Sequence, residues 1–353
     1  MGKTIRAAII GIGKSTQGKG GGHSFSYCHG WAYTSTPGME LVAACSRSEQ
    51  NVSDFLKEFP GCLGFQDYRR MLKESKPDLV SVCAFAPDRE EMVKAAMEAG
   101  AKGIWIEKPF ALTLGAARRM MEAASKKGTR LFVNHQRRYG KPFEWLRDAA
   151  ADGRIGEVLS FDVAQPFGDI LVFGPHLVDA ALFTLGAERK VETVFGAVDW
   201  SGAHDWQGAQ QEGQFLGSVH FNDGTRLTIE AGKHICKKLP ILRVNGSLGF
   251  AEVHLQPASD AGSVFRARFA GETGISSPST NEHFHHSEDP ALYMKRAARD
   301  VLAALQSGTP TRIDAEEGYR GLEIMLGIYE SARQQRMLAP PFEINEPPSP
   351  PIK

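Results

Sequence analysis

Two hydrophobic periodicities divide the chain. In the first part, short continuous apolar runs are typical of strands buried on both faces, and they lie at 5–11, 39–45, 78–85, 103–107 and 129–134. Helical patterns at 89–100 and 113–128 separate some of these runs, and each closes on a glycine that suits a helix end. Because strands here alternate with helices, the pattern predicts an α/β unit with a doubly wound parallel sheet.

The second part alternates between apolar and polar residues over longer stretches. This pattern predicts strands of a large, mostly antiparallel sheet at 157–165, 190–200, 214–221, 226–232 and, as a hairpin, 241–253. The Asp-Gly pair within 222–225 predicts a hairpin turn because both residues tolerate positive φ. Helices are expected at 140–153, at about 175–185, at 293–308 and at 315–335, and a solvated loop is expected at 281–289.

Composition narrows the possible partners. The chain has 353 residues, which suggests two domains, and 41 basic residues balance 41 acidic ones. A neutral chain has no overall electrostatic basis for binding nucleic acid or an anionic membrane, so neither partner is expected. Five cysteines stand singly, with no paired metal-ligand spacing, which fits a reducing compartment. With no leader or membrane span in the pattern, the sequence predicts a cytoplasmic protein.

A Gly-Ile-Gly turn follows the first predicted strand. In dinucleotide-binding folds, the glycine at the position of Gly11 makes a tight turn, and the one at the position of Gly13 lets the backbone approach a pyrophosphate. The third glycine of that pattern is missing, because Thr16 stands there and the polar, glycine-rich segment 14–25 intervenes. On this motif alone, a plain glycine-rich turn remains an alternative.

Further motifs occur in a distinctive order. They are GIG at 11–13, CHGWAY at 28–33, EKPFALT at 107–113, GRIG at 153–156 and GPHLVD at 174–179. With them, the chain to about residue 342 resembles the Gfo/Idh/MocA oxidoreductases, the family of glucose–fructose oxidoreductase and inositol dehydrogenase. The resemblance implies a Rossmann domain over 1–135 and an α+β domain over 136–342, with a Pro-rich tail at 343–353. It also implies a sugar-like substrate, NAD(P), and a homodimer or homotetramer assembled through the large sheet.

The resemblance also implies a set of cofactor contacts. They are Gly11, Ile12, Gly13, Ser24, Phe25, Ser46, Arg47, Pro87, Glu107 and Lys108. An NAD-specific site places a carboxylate after the second strand, whereas this chain has Ser46 and Arg47, which suit a 2′-phosphate. The sequence therefore favours NADP(H), with NAD(H) possible. The long segment 14–25 is either a lid near the cofactor or substrate or a tolerated insertion without a function.

Lys108 and His176 are the predicted catalytic pair. The resemblance implies that Lys108 reaches the reacting oxygen, where a cation stabilises alkoxide-like charge. His176 would start a helix after Pro175, and a histidine there can exchange the proton. Asp179 could orient His176 or contact the substrate.

The sequence departs from the family pattern near this histidine. Many relatives carry Asp four residues before it, where this chain has Val172, so Asp169 either replaces that carboxylate or forms a turn. No metal is expected, since His283, His285 and His286 have no recognised ligand spacing. The leading interpretation is hydride transfer between nicotinamide and a sugar or polyol. One alternative is a glycosidase or lyase that oxidises a sugar transiently, and another is a non-catalytic nucleotide sensor, against which Lys108 and His176 argue.

Overall fold

The computed structural model describes residues 3–14, 25–166, 169–206, 209–232, 235, 240–255, 263–269, 280–286 and 291–350. Its helices are α1 (Phe25–Thr34), α2 (Glu49–Glu58), α3 (Tyr68–Ser75), α4 (Arg89–Glu98), α5 (Leu114–Lys127), α6 (Lys141–Ala151), α7 (Gly174–Leu185), α8 (Ala291–Ser307) and α9 (Ala315–Gln334). Its strands are β1 (Ile5–Ile10), β2 (Met39–Cys45), β3 (Leu63–Phe65), β4 (Leu79–Val82), β5 (Gly103–Ile106), β6 (Arg130–Val133), β7 (Val158–Gln165), β8 (Val191–Asp199), β9 (His204–Trp206), β10 (Ala209–Gln211), β11 (Gln214–Phe221), β12 (Arg226–Ala231), β13 (Ile241–Gly246), β14 (Gly249–His254), β15 (Ser263–Phe269) and β16 (Thr280–His286).

The chain forms two compact units. The first contains Met1–Gln136 and Ala291–Tyr319, and the second contains Arg137–Pro290 and Arg320–Lys353. The ranges predicted from the sequence are contiguous, whereas α8 joins the first unit. Leu302 and Leu305 of α8 explain this difference, because they pack close to Gly38 and Gly103.

The first unit contains a six-stranded parallel sheet in the order β3-β2-β1-β4-β5-β6. The residues of β4 and β5 are buried throughout, as their continuous apolar runs predict. The hydrophobic pattern does not reveal β3, because this three-residue strand is largely exposed. The predicted doubly wound parallel sheet is confirmed.

Side chains of the loops begin several helices of the first unit. Ser48 and Asp67 accept hydrogen bonds from the first turns of α2 and α3, and Thr113 does so for α5. Gly128 ends α5 in the left-handed conformation. These caps define where α2 and α3 start, and both short helices show the apolar spacing of an amphipathic helix, as Val52, Phe55 and Leu56 do in α2.

The second unit contains an eight-stranded sheet in the order β16-β15-β14-β13-β7-β12-β11-β8. Every neighbouring pair is antiparallel except β7 and β12, so the predicted mostly antiparallel sheet is confirmed. The hairpin predicted at 222–225 joins β11 to β12, with Gly224 at φ +86°.

One element differs from its prediction. The sequence predicts a solvated loop over 281–289, but the backbone at 280–286 forms β16 and pairs with β15. Hydrogen bonds to a neighbouring strand satisfy the backbone N–H and C=O groups of a segment whatever its side chains are. The sequence at 280–286 is polar and rich in histidine, so it lacks the apolar–polar alternation by which a strand is predicted. Within the described part of the chain, no helix combines the length and hydropathy needed to cross a bilayer.

Candidate functional site

The turn after β1 approaches a neighbouring strand end very closely. Gly11 has φ +93°, and a Cβ atom there would lie 2.5 Å from the backbone nitrogen of Ala84, so only glycine fits. The N–H groups of Gly11 and Ile12 both donate to the carbonyl of Cys45, at 2.9 and 3.0 Å. Gly13 N–H points to Ser26 Oγ at 3.4 Å, in the first turn of α1. A bare backbone turn packed against a helix start is the cradle that a dinucleotide pyrophosphate requires, so these residues fit that cofactor.

The predicted cofactor residues of the first unit gather at one edge of its sheet. The three pairs or runs that directly follow β1, β2 and β5 are Gly11–Gly13, Ser46–Arg47 and Glu107–Lys108. Pro87 lies in a short 3-10 helix, Ala86–Asp88, after β4. The strand order reverses between β1 and β4, which is where open α/β sheets bind ligands. Phe25 is the first residue of α1, whereas Ser24 and the rest of 15–24 lie outside the described residues.

The segment after β2 carries a cation and no carboxylate at its first three positions. Ser46 is buried, and its N–H donates to the carbonyl of Phe65 at 3.1 Å. Its hydroxyl accepts from the N–H of Ser48 at 3.3 Å, which folds the segment back toward α2. Arg47, between them, is exposed. A guanidinium on this rim can meet an anionic group of a bound nucleotide.

Glu107 is the acceptor at the centre of a buried polar network. Its Oε1 accepts from His29 Nε2 at 3.0 Å and from Asn134 Nδ2 at 2.6 Å. The other ring nitrogen of His29 lies 2.8 Å from Ser81 Oγ, which also contacts the Tyr33 hydroxyl. Burial raises the pKa of Glu107, but the hydrogen bond from His29, electrostatic interactions with His29 and Lys108, and the hydrogen bond from Asn134 outweigh burial. The pKa of Glu107 therefore lies below its usual value. The network therefore holds a carboxylate beside Lys108.

The thiol of Cys83 lies close to this network. Among the described residues, His29, Cys83 and Glu107 are the one group whose potential metal-ligand atoms lie within 4.8 Å of one another. Both nitrogens of His29 are already in hydrogen bonds, and burial raises the pKa of Cys83 well above its usual value. The group is thus organised as a hydrogen-bonded cluster, and we assign no metal to it.

Lys108 lies just beyond the C-terminal end of β5. It is half-buried, and its peptide bond to Pro109 is cis. The strand delivers its backbone to the same sheet edge as Gly11–Gly13, in keeping with the placement that the sequence predicts.

His176 lies in the first turn of α7, in the second unit. The helix begins at Gly174, has Pro175 near its start and is followed by Gly186, as predicted. His176 is buried, and its backbone N–H donates to the carbonyl of Phe173 at 3.0 Å. The pairing of His176 with Lys108 stays a prediction.

Asp179 forms a buried ion pair. Its Oδ1 accepts from Nε and Nη2 of Arg138, both at 2.8 Å, and both side chains are almost fully buried. The guanidinium of Arg138 also lies over the Phe183 ring, 5.4 Å from its centroid. These contacts tie α7 to the turn at Gln136–Tyr139, and the predicted role of Asp179 toward His176 or substrate stays a prediction.

Asp169 lies on a constrained turn before α7. Its φ is +83°, and its carbonyl accepts from the N–H groups of Val172, Phe173 and Gly174. Asp169 Oδ1 lies 3.6 Å from His204 Nε2, and burial raises the pKa of Asp169. Asp169 thus does form a turn, and its carboxyl group remains a candidate substitute for the acid missing at Val172.

Glu212 anchors this turn, and sequence reasoning does not find it. Its Oε1 accepts from the N–H groups of Asp169 and Ile170 at 3.1 and 2.6 Å. Its Oε2 accepts from the Tyr329 hydroxyl, and Trp200 stacks on Tyr329 with ring centroids 5.7 Å apart. Glu212 and Tyr329 are far apart along the chain, so no local pattern connects them.

The Glu212 carboxyl should make stability pH-dependent. Burial raises its pKa, and the Tyr329 hydrogen bond offsets this only partly. The folded protein therefore holds this proton to a higher pH than the unfolded chain does. The contribution of the Glu212 carboxyl to the free energy of unfolding is most favourable below the ordinary glutamate pKa of about 4.3. This contribution is lost as pH rises through the raised pKa of Glu212 in the folded protein.

Glu212→Gln keeps an oxygen for the two backbone donors and removes the titrating proton. We expect the free energy of unfolding of this variant, relative to wild type, to increase from pH 5 to pH 8, measured by urea titration. Glu212→Ala, which leaves the backbone donors unmet, should lose about 1–3 kcal/mol at both pH values. A Gln variant whose stability follows that of wild type across this range would contradict the assignment.

Comparisons with known proteins agree with this architecture. Residues 5–135 match the NAD-binding Rossmann-fold domain of the Gfo/Idh/MocA oxidoreductase family, and residues 147–339 match its C-terminal alpha/beta domain. The chain is 26% identical to D-glucoside 3-dehydrogenase of Escherichia coli, over 93% of this chain and 95% of that protein. It is 30% identical to D-apiose dehydrogenase of Paraburkholderia graminis, over 56% of this chain and 54% of that protein.

Solved structures show the same fold. An oxidoreductase from Agrobacterium radiobacter, in complex with NAD+, L-tartaric acid and magnesium, superposes with a TM-score of 0.77 and 16% identity, covering 96% of this chain and 98% of that one. Both family domains match, and together they span most of the chain. The protein therefore belongs to the Gfo/Idh/MocA family of NAD-binding oxidoreductases.

Proposed function

We propose that this protein transfers a hydride between a nicotinamide cofactor and a carbon of a sugar, polyol or related alcohol or carbonyl compound. The observation that carries the proposal is the shared sheet edge, where the Gly11–Gly13 cradle and Lys108 follow strands of one parallel sheet. The sugar class is supported by two relatives whose names state glucoside and apiose dehydrogenases.

The protein's own residues have distinct roles in this proposal. Gly11–Gly13 and the start of α1 hold the pyrophosphate, and the bound nicotinamide would supply or accept the hydride. Lys108 places a positive charge at the reacting oxygen. It lies next to the buried Glu107 carboxylate, whose pKa the Lys108 charge helps to lower. His176 takes the proton of the hydroxyl during oxidation and returns it during reduction.

The cofactor that we propose is NADP(H). The segment after β2 presents Ser46 and the exposed Arg47 and lacks the carboxylate that would repel a 2′-phosphate. A hydrogen bond to a charged group contributes about 1.5–3 kcal/mol, which is enough to change a preference by an order of magnitude or more.

The proposal further includes a small sugar-like substrate and assembly of the chain with itself as a homodimer or homotetramer. The neutral charge balance of the chain supports the absence of nucleic-acid and membrane partners.

A substrate screen tests the function. Purified protein is incubated with sugars, glycosides and polyols in the presence of NAD+ or NADP+, and the absorbance of the reduced nicotinamide is followed. We expect turnover with at least one such alcohol. Bound nucleotide that is never released, together with cleavage of a glycosidic bond and no net reduction, would instead support the transient-oxidation alternative.

Arg47→Ala tests the cofactor preference. We expect wild type to bind NADPH more tightly than NADH and the variant to narrow that difference by about tenfold, because the charged partner of the 2′-phosphate is gone. Titration of the reduced nucleotides by fluorescence measures both affinities. Arg333→Ala is a matched control, since Arg333 is also exposed and belongs to the second unit, where it pairs with Glu330. Equal or tighter binding of NADH by wild type would refute the preference.

A further inference from the structure

Arg89 occupies a position that its helix does not explain. It is the first residue of α4, where the helix dipole disfavours a positive charge. It is also buried, with 3% of its surface exposed, and solvation therefore does not stabilise its charge. A buried cation at a helix start needs partners elsewhere in the fold.

Those partners are backbone carbonyl groups of the segment that carries Lys108. Nη1 of Arg89 donates to the carbonyls of Glu107 and Pro109, and Nη2 lies 3.4 Å from the carbonyl of Lys108. Nε donates to the carbonyl of Ala84, at 2.8 Å, in the loop after β4. One guanidinium thus connects two loops at the C-terminal sheet edge and contacts three successive carbonyls around Lys108.

Arginine is the side chain suited to this arrangement. Its five N–H donors lie in one rigid plane, whereas a lysine ammonium donates from a single atom. β5 ends at Ile106, so the carbonyls of residues 107–109 lie beyond the strand. Burial lowers the pKa of Arg89 to about 10, opposed by the charge of Glu107, and the guanidinium stays protonated at neutral pH.

We propose that Arg89 is a positioning residue, which fixes the backbone at Lys108 and thereby the place of its ammonium group. The inference rests on the proposed function in one respect, namely that Lys108 acts on the reacting oxygen. Arg89 itself donates its hydrogen bonds to backbone groups, so it acts on the reaction only through Lys108. Its loss should reduce kcat while leaving nucleotide affinity nearly unchanged, because the Gly11–Gly13 cradle is held by other bonds.

The test is a double-mutant cycle of Arg89→Lys and Lys108→Ala. A displacement of about 1 Å in a catalytic group can cost about 100-fold in rate, so we expect Arg89→Lys to lower kcat by about 10- to 100-fold. In the Lys108→Ala background, the same substitution should have little further effect, since the group that it misplaces is absent. A purely structural role for Arg89 would lower kcat equally in both backgrounds, and that result would overturn the proposal.

One binding measurement and two further variants accompany the cycle. The dissociation constant of the nucleotide for Arg89→Lys should stay within about twofold of the wild-type value. Arg89→Met is a second variant, which also removes the positive charge. Arg119→Lys is the matched control, because this exposed arginine pairs with Glu90, the neighbour of Arg89, and should leave kcat unchanged. An unchanged kcat in both Arg89 variants, with wild type active, would refute the proposal and leave the proposed function standing.

A readout without turnover separates the two hypotheses. Acetic anhydride labels lysine amines, and mass spectrometry gives the labelling rate of Lys108 relative to the exposed Lys57. We expect Arg89→Lys to change this ratio severalfold at a temperature where circular dichroism shows the variant to be folded. If wild type transferred no hydride, the proposed function would fail, and this ratio alone would decide the role of Arg89: an unchanged ratio would overturn it.

Discussion

Lys108→Ala should lower turnover on the true substrate by about 10²–10⁴-fold, at least as much as loss of the general acid–base His176. The substitution removes a fixed positive charge that follows β5 at the edge where the cofactor residues gather. Charge stabilisation acts mainly on the transition state, so kcat should fall much more than nucleotide affinity. Steady-state kinetics with a fluorescence titration of the nucleotide separates these quantities.

The same strand provides the control for this prediction. Lys102 immediately precedes β5, is about half exposed and pairs with Asp78 at 2.9 Å. Lys102→Ala should retain normal turnover, because it removes an equal charge at the opposite end of the strand. If Lys108→Ala also kept near-native turnover, Lys108 would not be the group that stabilises the developing charge.

His176→Ala should lower turnover by about 10²–10⁴-fold, the usual contribution of a general acid or base. Burial in the first turn of α7 gives the imidazole a defined place, and Asp169–Gly174 form a hydrogen-bonded turn just before it. Nucleotide affinity should change little, since the predicted pyrophosphate contacts belong to the other unit. The thermal unfolding midpoint should be measured alongside, because removing a buried ring can also destabilise the helix.

His220→Ala is a suitable control for His176→Ala. His220 lies on β11, opposite Thr193 of β8 and Arg226 of β12, and has no role in the proposed chemistry. Should His176→Ala retain near-native turnover, Asp169 would become the better proton carrier, and Asp169→Asn would then be expected to produce the loss.

Local physical chemistry explains why much of the first unit is predictable. A strand buried on both faces needs a continuous apolar run, so β1, β2, β4 and β5 are visible without any knowledge of their neighbours. The turn at 222–225 is also predictable from local sequence, because Asp and Gly both tolerate the positive φ that a tight hairpin turn requires. The glycine turn at Gly11 is also predictable from local sequence. Only the fold shows that a side chain at Gly11 would clash with the backbone of Ala84.

Other features depend on pairs of residues that the fold brings together from distant positions. Arg138 pairs with Asp179 and Glu212 with Tyr329, and neither partner carries a local signal of the other. In the sequence, Arg89 looks like an ordinary helix-surface residue. Because β4 and β5 are neighbours in the sheet, Arg89 is buried and donates hydrogen bonds to carbonyl groups of the segment after β5.

The sequence by itself determined the two kinds of sheet, the glycine turn after β1, the helix that begins near His176 and the order of motifs that indicates the family. Tertiary structure alone decided that α8 joins the first unit, that 280–286 forms a strand and that Glu212 secures the turn at Asp169. One physical cause separates the features that the sequence determines from those that only the tertiary structure decides. Periodicity and turn preference act between residues a few positions apart, whereas buried ion pairs, strand partners and carbonyl contacts depend on which distant segments the core brings into contact.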